Sequence, residues 1–196
     1  MMVNKKTQRL AAVEIGDVAM RLTIADVDQG ELNIISTHTV PTRLSHEVDD
    51  DGRISPDKMT QLATVLNLFA NLAENFGAEN FLALATHPTR IANNAEAFAD
   101  FLRKRTELDV QLVSGETEAA LIFRGATYNR KLHPRQLVVD IGADHTELIA
   151  SSRHQVDWLL TIPIGAARIA MPSREGASTA RKRRSPPRSW PRTAPR

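Results

Sequence analysis

Apolar and polar positions along the first forty residues fall into three short segments. AAVEIG (11 to 16) begins apolar, and MRLTIADV (20 to 27) alternates apolar with polar across a break at Gly16-Asp17. Alternation with period two marks a half-buried strand, and Asp28-Gln29-Gly30 supplies turn chemistry before a third segment, LNIISTHTV (32 to 40). These segments predict a three-stranded antiparallel unit. The period then changes to that of a helix. After the polar turn Asp49 to Gly52, Ser55 is an N-cap followed by Pro56, and Met59, Leu62, Val65, Leu66, Phe69, Leu72 and Ala73 recur at helical spacing until Gly77 stops them. FLALAT (81 to 86) predicts a short buried strand, and Asn94 can cap a helix carrying Ala95, Phe98, Phe101 and Leu102. VQLVS (110 to 114) predicts another strand and Glu116 to Tyr128 another helix. LVVDIGADHTELI (137 to 149) then runs from an apolar strand into a polar turn, with a partner strand from Val156 to Ile162 before Pro163-Ile164-Gly165.

Three antiparallel strands followed by helix, strand, helix, strand, helix is the element order of a ribonuclease-H-like or actin-like ATPase domain, an α/β fold with a mixed five-stranded sheet. The strand-glycine-strand unit from Leu137 to Ile162 repeats, at low similarity, the one from Leu10 to Val27, as a second similar domain would at its start. The expected division is an N-terminal arm (1–9), a ribonuclease-H-like domain (10–128), an incomplete start of a second domain (129–170) and a tail (171–196). The tail stands apart in composition. It carries eight basic residues against Glu175 alone and five of the ten prolines, leaving the rest of the chain with 17 basic and 22 acidic residues. With almost no aliphatic side chains it cannot offset its ordering entropy, so disorder is expected there. An abrupt switch at Met171 into arginine, proline, serine and alanine is also what a shifted reading frame in GC-rich DNA would produce. The whole chain, 42% hydrophobic and 24% charged, has the composition of a soluble globular protein without an apolar run long enough for a membrane span. The absence of cysteine excludes disulfides and thiolate metal sites and agrees with a cytoplasmic location. The six histidines show no metal-ligand spacing, so zinc is not expected.

Five motifs in order carry a resemblance to a known family. VEIG (13–16), TRLSHEV followed by DGRIS, ATHPTRIANN (85–94), SGETEAALIFRG (114–125) and VVDIGADHTELI (138–149) resemble the ordered motifs of the exopolyphosphatase and guanosine pentaphosphate phosphohydrolase family, Ppx/GppA, within the actin-like ATPase superfamily. The resemblance covers roughly Leu10 to Ala170. It implies a phosphoanhydride hydrolase acting on polyphosphate or guanosine pentaphosphate, with the phosphate chain held in a cleft between two domains by glycine loops and Mg²⁺ assisting in-line attack by water. It implies Glu118 as the group that orients or deprotonates that water and Glu147 as a second catalytic acid. It further implies Gly16, Arg90, Gly142 and Thr146 as phosphate contacts, and Asp140 and Glu14 as carboxylates near the metal. Four of them have an ordinary structural alternative: Glu118 as an acid favoured by a helix dipole, Glu147 as an exposed loop carboxylate, Asp140 as a turn cap, and Arg90 as a solvated arginine.

The departures from the family pattern bear on whether activity survives. In the first loop, where the family has aspartate, isoleucine, glycine, serine, asparagine and serine, this chain has Glu14-Ile15-Gly16-Asp17-Val18-Ala19; in the second, a glycine has become Asp144. Two carboxylates then stand where phosphate would be attracted, a repulsion that predicts weak or lost turnover. His145 could meet phosphate when protonated, though a loop histidine is more often solvated. The alternative is a non-catalytic regulatory or binding module on the same fold. A third reading, binding of nucleic acid or polyphosphate through the basic tail, rests on charge alone, and nucleic acid is not an expected partner. The resemblance also leaves room for a homodimer.

Overall fold

The computed structural model describes residues 7–166 apart from 45, 46, 87, 88, 91, 132, 144, 153 and 154. The predicted tail, most of the N-terminal arm and Asp144 lie outside the described residues. Three strands, β1 (Gln8–Ile15), β2 (Ala19–Asp28) and β3 (Glu31–Pro41), lead into helix α1 (Pro56–Asn75) and strand β4 (Asn80–Ala85). Helix α2 (Ala95–Thr106), strand β5 (Val110–Leu112) and helix α3 (Gly115–Thr127) follow. The chain continues through β6 (Arg135–Ile141), β7 (Thr146–Ser152) and β8 (Gln155–Ile162).

The first five strands form one mixed sheet in the order β3-β2-β1-β4-β5. As the alternating segments predict, β1, β2 and β3 are antiparallel neighbours, while β4 pairs parallel to β1 and β5 parallel to β4. Alternate residues of β1 and β2 point to opposite faces, so Ala11, Val13, Ile15, Met20, Leu22 and Ile24 all reach one core. That core is closed by Leu62, Leu66 and Phe69 of α1 and by Phe98 and Leu102 of α2. Ser55 caps α1 by accepting from the Lys58 N–H at 3.2 Å, and the chain leaves the helix through Gly77 at φ 75°, a conformation that favours glycine.

Two local expectations are corrected. Asn94 occupies the N-cap position of α2 but makes no side-chain cap. Its amide instead accepts from the Ile54 N–H and donates to the Ile54 C=O, both at 2.9 Å, because the buried Ile54 backbone needs both partners. The strand expected to reach Ser114 stops at Leu112, and the Ser114 hydroxyl accepts from the Thr117 N–H at 3.2 Å to cap α3.

Strands β6, β7 and β8 make a second, antiparallel sheet that repeats the β1-β2-β3 hairpin order. Helix α3 packs on this sheet: Ala119 and Phe123 meet Ile149, with Val138, Val156 and Leu159 around them. Its other face bears Leu137, Val139 and Ile141 of β6 and Trp158 and Leu160 of β8, all exposed. The two faces should respond differently to truncation. Leu22→Ala, at a position with 0% exposure, should lose about 2–5 kcal/mol in urea unfolding. Leu137→Ala on the exposed face should stay within about 0.5 kcal/mol of the parent. Comparable losses at both would mean that the face is covered in solution.

Candidate active site

The first hairpin of each sheet, β1–β2 and β6–β7, is joined by a glycine turn of the same construction. Gly16 N–H donates to the Ala19 C=O at 3.1 Å, and Gly142 N–H donates to the His145 C=O at 2.9 Å. A Cβ on either glycine would sit 3.1 Å from that same carbonyl oxygen, so the close approach of two backbones calls for glycine here. These two amides are committed to closing their turns. The first turn is tied down by Thr42, whose hydroxyl reaches the Gly16 C=O at 2.9 Å and the Asp17 C=O at 2.7 Å. The second is tied by the Ala166 N–H to the Gly142 C=O at 2.8 Å, and by the Thr146 hydroxyl donating to the Ile164 C=O at 2.7 Å. The Thr146 proton therefore serves the loop, and only its oxygen lone pairs remain.

The register of the second hairpin places Asp140 directly opposite Glu147, on the face turned toward α3. In the first hairpin the corresponding pair is Glu14 opposite Arg21. Glu118 comes to the same place from the first turn of α3, where its N–H donates to the Ser114 C=O at 2.9 Å. Arg90, on the segment after β4, closes the group. Its Nη1 donates to Glu118 Oε2 at 2.7 Å and to the Val113 C=O at 3.1 Å, and its guanidinium lies against Gly115 at the start of α3. Its hydrogen bonds among the described residues run through Nη1, so Nε and Nη2 can serve another anion, with Glu116 also within its field.

The charges of this group do not balance. Glu147 is only 2% exposed, and its Oε2 is a buried oxygen with no hydrogen-bond partner among the described residues. Burial pushes its carboxyl above the ordinary value; Glu118 and Asp140 push the same way, while His145 and Arg90 pull it down. Glu14 is raised as well, first by desolvation against the pull of Arg21, then by Glu118 and Asp140. Four carboxylates from two sheets and a helix thus share one electrostatic neighbourhood. No three Asp, Glu or His side chains among the described residues form a ready cation cage. One or two carboxylates, with water and phosphate oxygens completing the shell, are nevertheless what Mg²⁺ usually takes. Glu14 and Asp140 fit that donor set, with no protein cage of their own.

Of the residues singled out in the sequence, Glu118, Glu147, Asp140, Glu14 and Arg90 are brought together. Gly16 and Gly142 lie in the flanking turns with their N–H groups engaged, and Thr146 stands at the start of β7. The loop-carboxylate alternative for Glu147 does not fit, since it is buried within a strand. The Arg90–Glu118 ion pair and the role of Thr42 were missed. The strand register was readable in part: closing the turn from Gly142 to His145 symmetrically sets Asp140 opposite Glu147.

A buried acid of this kind has a definite pH signature. The folded chain holds the Glu147 proton more tightly than the unfolded chain, so the group's contribution to stability is full below the ordinary value of 4.5 and is lost as pH rises through the raised folded value. Glu147→Gln should escape that loss. The variant should melt higher than the parent near about pH 7.5, by a margin that shrinks to nothing on acidification below 4.5. Equal midpoints at neutral pH would show that the oxygen is solvated.

Residues 23–185 match the model of the Ppx/GppA phosphatase family. Among solved structures, the chain is similar to the Aquifex aeolicus Ppx/GppA family member, with 31% identity and a TM-score of 0.73 over 82% of this chain and 52% of that one. It is also similar to an exopolyphosphatase from Cytophaga hutchinsonii, with 23% identity and a TM-score of 0.70 over 83% of this chain and 52% of that one. The ethanolamine utilization protein EutJ from Carboxydothermus hydrogenoformans shares the fold at 17% identity and a TM-score of 0.51, over 81% of this chain and 53% of that one. The chain spans about half the length of the solved relatives it matches. Its mixed sheet has the ribonuclease-H-like, actin-like ATPase architecture that the element order predicts. With 31% identity to a structural member and a family match over most of its length, the chain belongs to the Ppx/GppA phosphatase family.

Proposed function

We propose that this chain carries an exopolyphosphatase-type phosphoanhydride hydrolase site acting on polyphosphate or guanosine pentaphosphate, with weak turnover. The observation that carries the reading is the short Arg90–Glu118 pair at the start of α3, facing the Asp140–Glu147 strand pair. Glu118 accepts the proton of the attacking water as the water oxygen bonds to the terminal phosphorus. The bridging P–O bond breaks, and orthophosphate and a shortened chain leave. Arg90, anchored through Nη1, offers its remaining N–H groups to the phosphoryl oxygens. Glu147, buried and short of partners, holds or orients the water beside Glu118. Mg²⁺, when bound at Glu14 or Asp140, would neutralise charge developing on the phosphate oxygens.

A second reading, a binding or regulatory module without turnover, is favoured by the first loop, where Asp17 brings a negative charge and the Gly16 N–H is spent on the turn. No helix of the described residues is long and apolar enough to cross a membrane, so neither reading needs a bilayer.

Phosphate release from long-chain polyphosphate with Mg²⁺ separates the two readings. The parent should release phosphate slowly, and Glu118→Gln should lower the rate by about 10² to 10⁴. Asp17→Ser should tighten the binding of the phosphate chain by removing a like charge. Equal rates for parent and Glu118→Gln would end the catalytic assignment, whereas polyphosphate binding without release would establish the module.

A further inference from the structure

Away from this site, Lys58 is buried in an unusual setting. It stands in the first turn of α1, and the residue is only 8% exposed. A lysine normally buries its stem and keeps its ammonium in water or against a close carboxylate. Among the described residues its acceptors are Gln61 Oε1 at 3.5 Å and Glu47 Oε1 at 3.7 Å, both beyond good hydrogen-bond length, and the Glu47 side chain is half exposed. The helix dipole adds positive potential at this end of α1, so it disfavours the ammonium rather than compensating it. Beside Lys58 lies a half-open cavity of about 350 Å³ between the end of β3 and the first turns of α1. Val40, Pro41, Leu62 and Val65 form its apolar walls; Thr42 and Thr64 also line it, but their hydroxyl protons go to backbone carbonyls, so Lys58 and Gln61 supply its side-chain donors.

We propose that this cavity binds a small monocarboxylate with a short aliphatic tail, its head on Lys58 and its tail along Val40 and Val65. One ammonium and one amide match a single negative charge and two oxygens. A phosphate would bring further oxygens and charge to a lining that contains no arginine fork. Glu47 is the internal competitor: half exposed and loosely held, it swings aside when the ligand carboxylate takes the shorter contact.

Titration calorimetry of the full chain with hexanoate tests this, with acetate as the head alone and hexan-1-ol as the tail alone. Hexanoate should bind, and each control should bind at least about tenfold more weakly, since head and tail both contribute. Lys58→Met, which keeps the apolar stem, should weaken hexanoate by about ten- to a hundredfold, the span expected for loss of a charge-assisted hydrogen bond. Glu47→Gln should tighten it by removing the competing charge. The proposal is overturned if the parent does not bind hexanoate at millimolar concentration, or if Lys58→Met binds it as tightly. It is equally overturned if Glu47→Gln brings no gain, a result that decides the matter even should Lys58→Met fail to fold.

Discussion

The candidate site hangs on one short ion pair. Arg90 follows the fourth strand of the first sheet, and Glu118 rides on the helix that packs against the second, so the 2.7 Å bond between them joins the two halves of the site. Both partners are largely covered, with side-chain exposures of 25% and 12%. Desolvation takes back much of the Coulomb attraction in such a pair, so its net effect on stability is small while its geometric effect is large. Removing either partner would leave the other covered and uncompensated, and would let the start of α3 drift from the strand after which Arg90 is placed.

The surrounding acids are the opposite kind of interaction. Asp140 opposite Glu147 sets like charges across neighbouring strands, an arrangement that strand pairing disfavours. Glu14 and Glu118 add to the same field. Folding alone does not call for these side chains to be gathered; burial first raises the Glu147 and Glu14 proton affinities, and the conflict with the neighbouring carboxylates adds to that rise. The conflict is eased by anything that brings positive charge, whether a proton or a divalent cation.

Much of the first sheet was legible in the sequence because its signal is local. The apolar start of β1, period-two alternation in β2, helical recurrence from Met59 to Ala73, and glycine at 77 each report on a few neighbouring residues. The candidate residues were legible only through family motifs, because the local sequence left Glu118, Glu147, Asp140 and Arg90 each with an ordinary alternative. What stayed hidden was long-range. Asn94 is drawn off its cap by a backbone forty residues away, and no local propensity encodes the demand of Ile54 for two partners. The Arg90 bond to Glu118 spans 28 residues and crosses from one sheet to the packing partner of the other. Thr42 lies 26 residues from the Gly16 carbonyl it holds, yet it sets the shape of that turn.

The open face of the second sheet has a consequence for the protein's life in concentrated solution. Trp158 and Leu160 lie in register, through Ala150 and Leu148 of β7, with Leu137 and Val139, so the exposed side chains form a continuous apolar surface. Among the described residues β6 and β8 are the outer strands of that sheet, and no described strand pairs with their far edges. An exposed apolar surface beside strand edges is a template for self-association, and Asp157, exposed on β8, places a charge on that strand. Where crowding raises encounter rates, this face of the described residues, rather than the helix-covered core of the first sheet, is the surface that favours self-association.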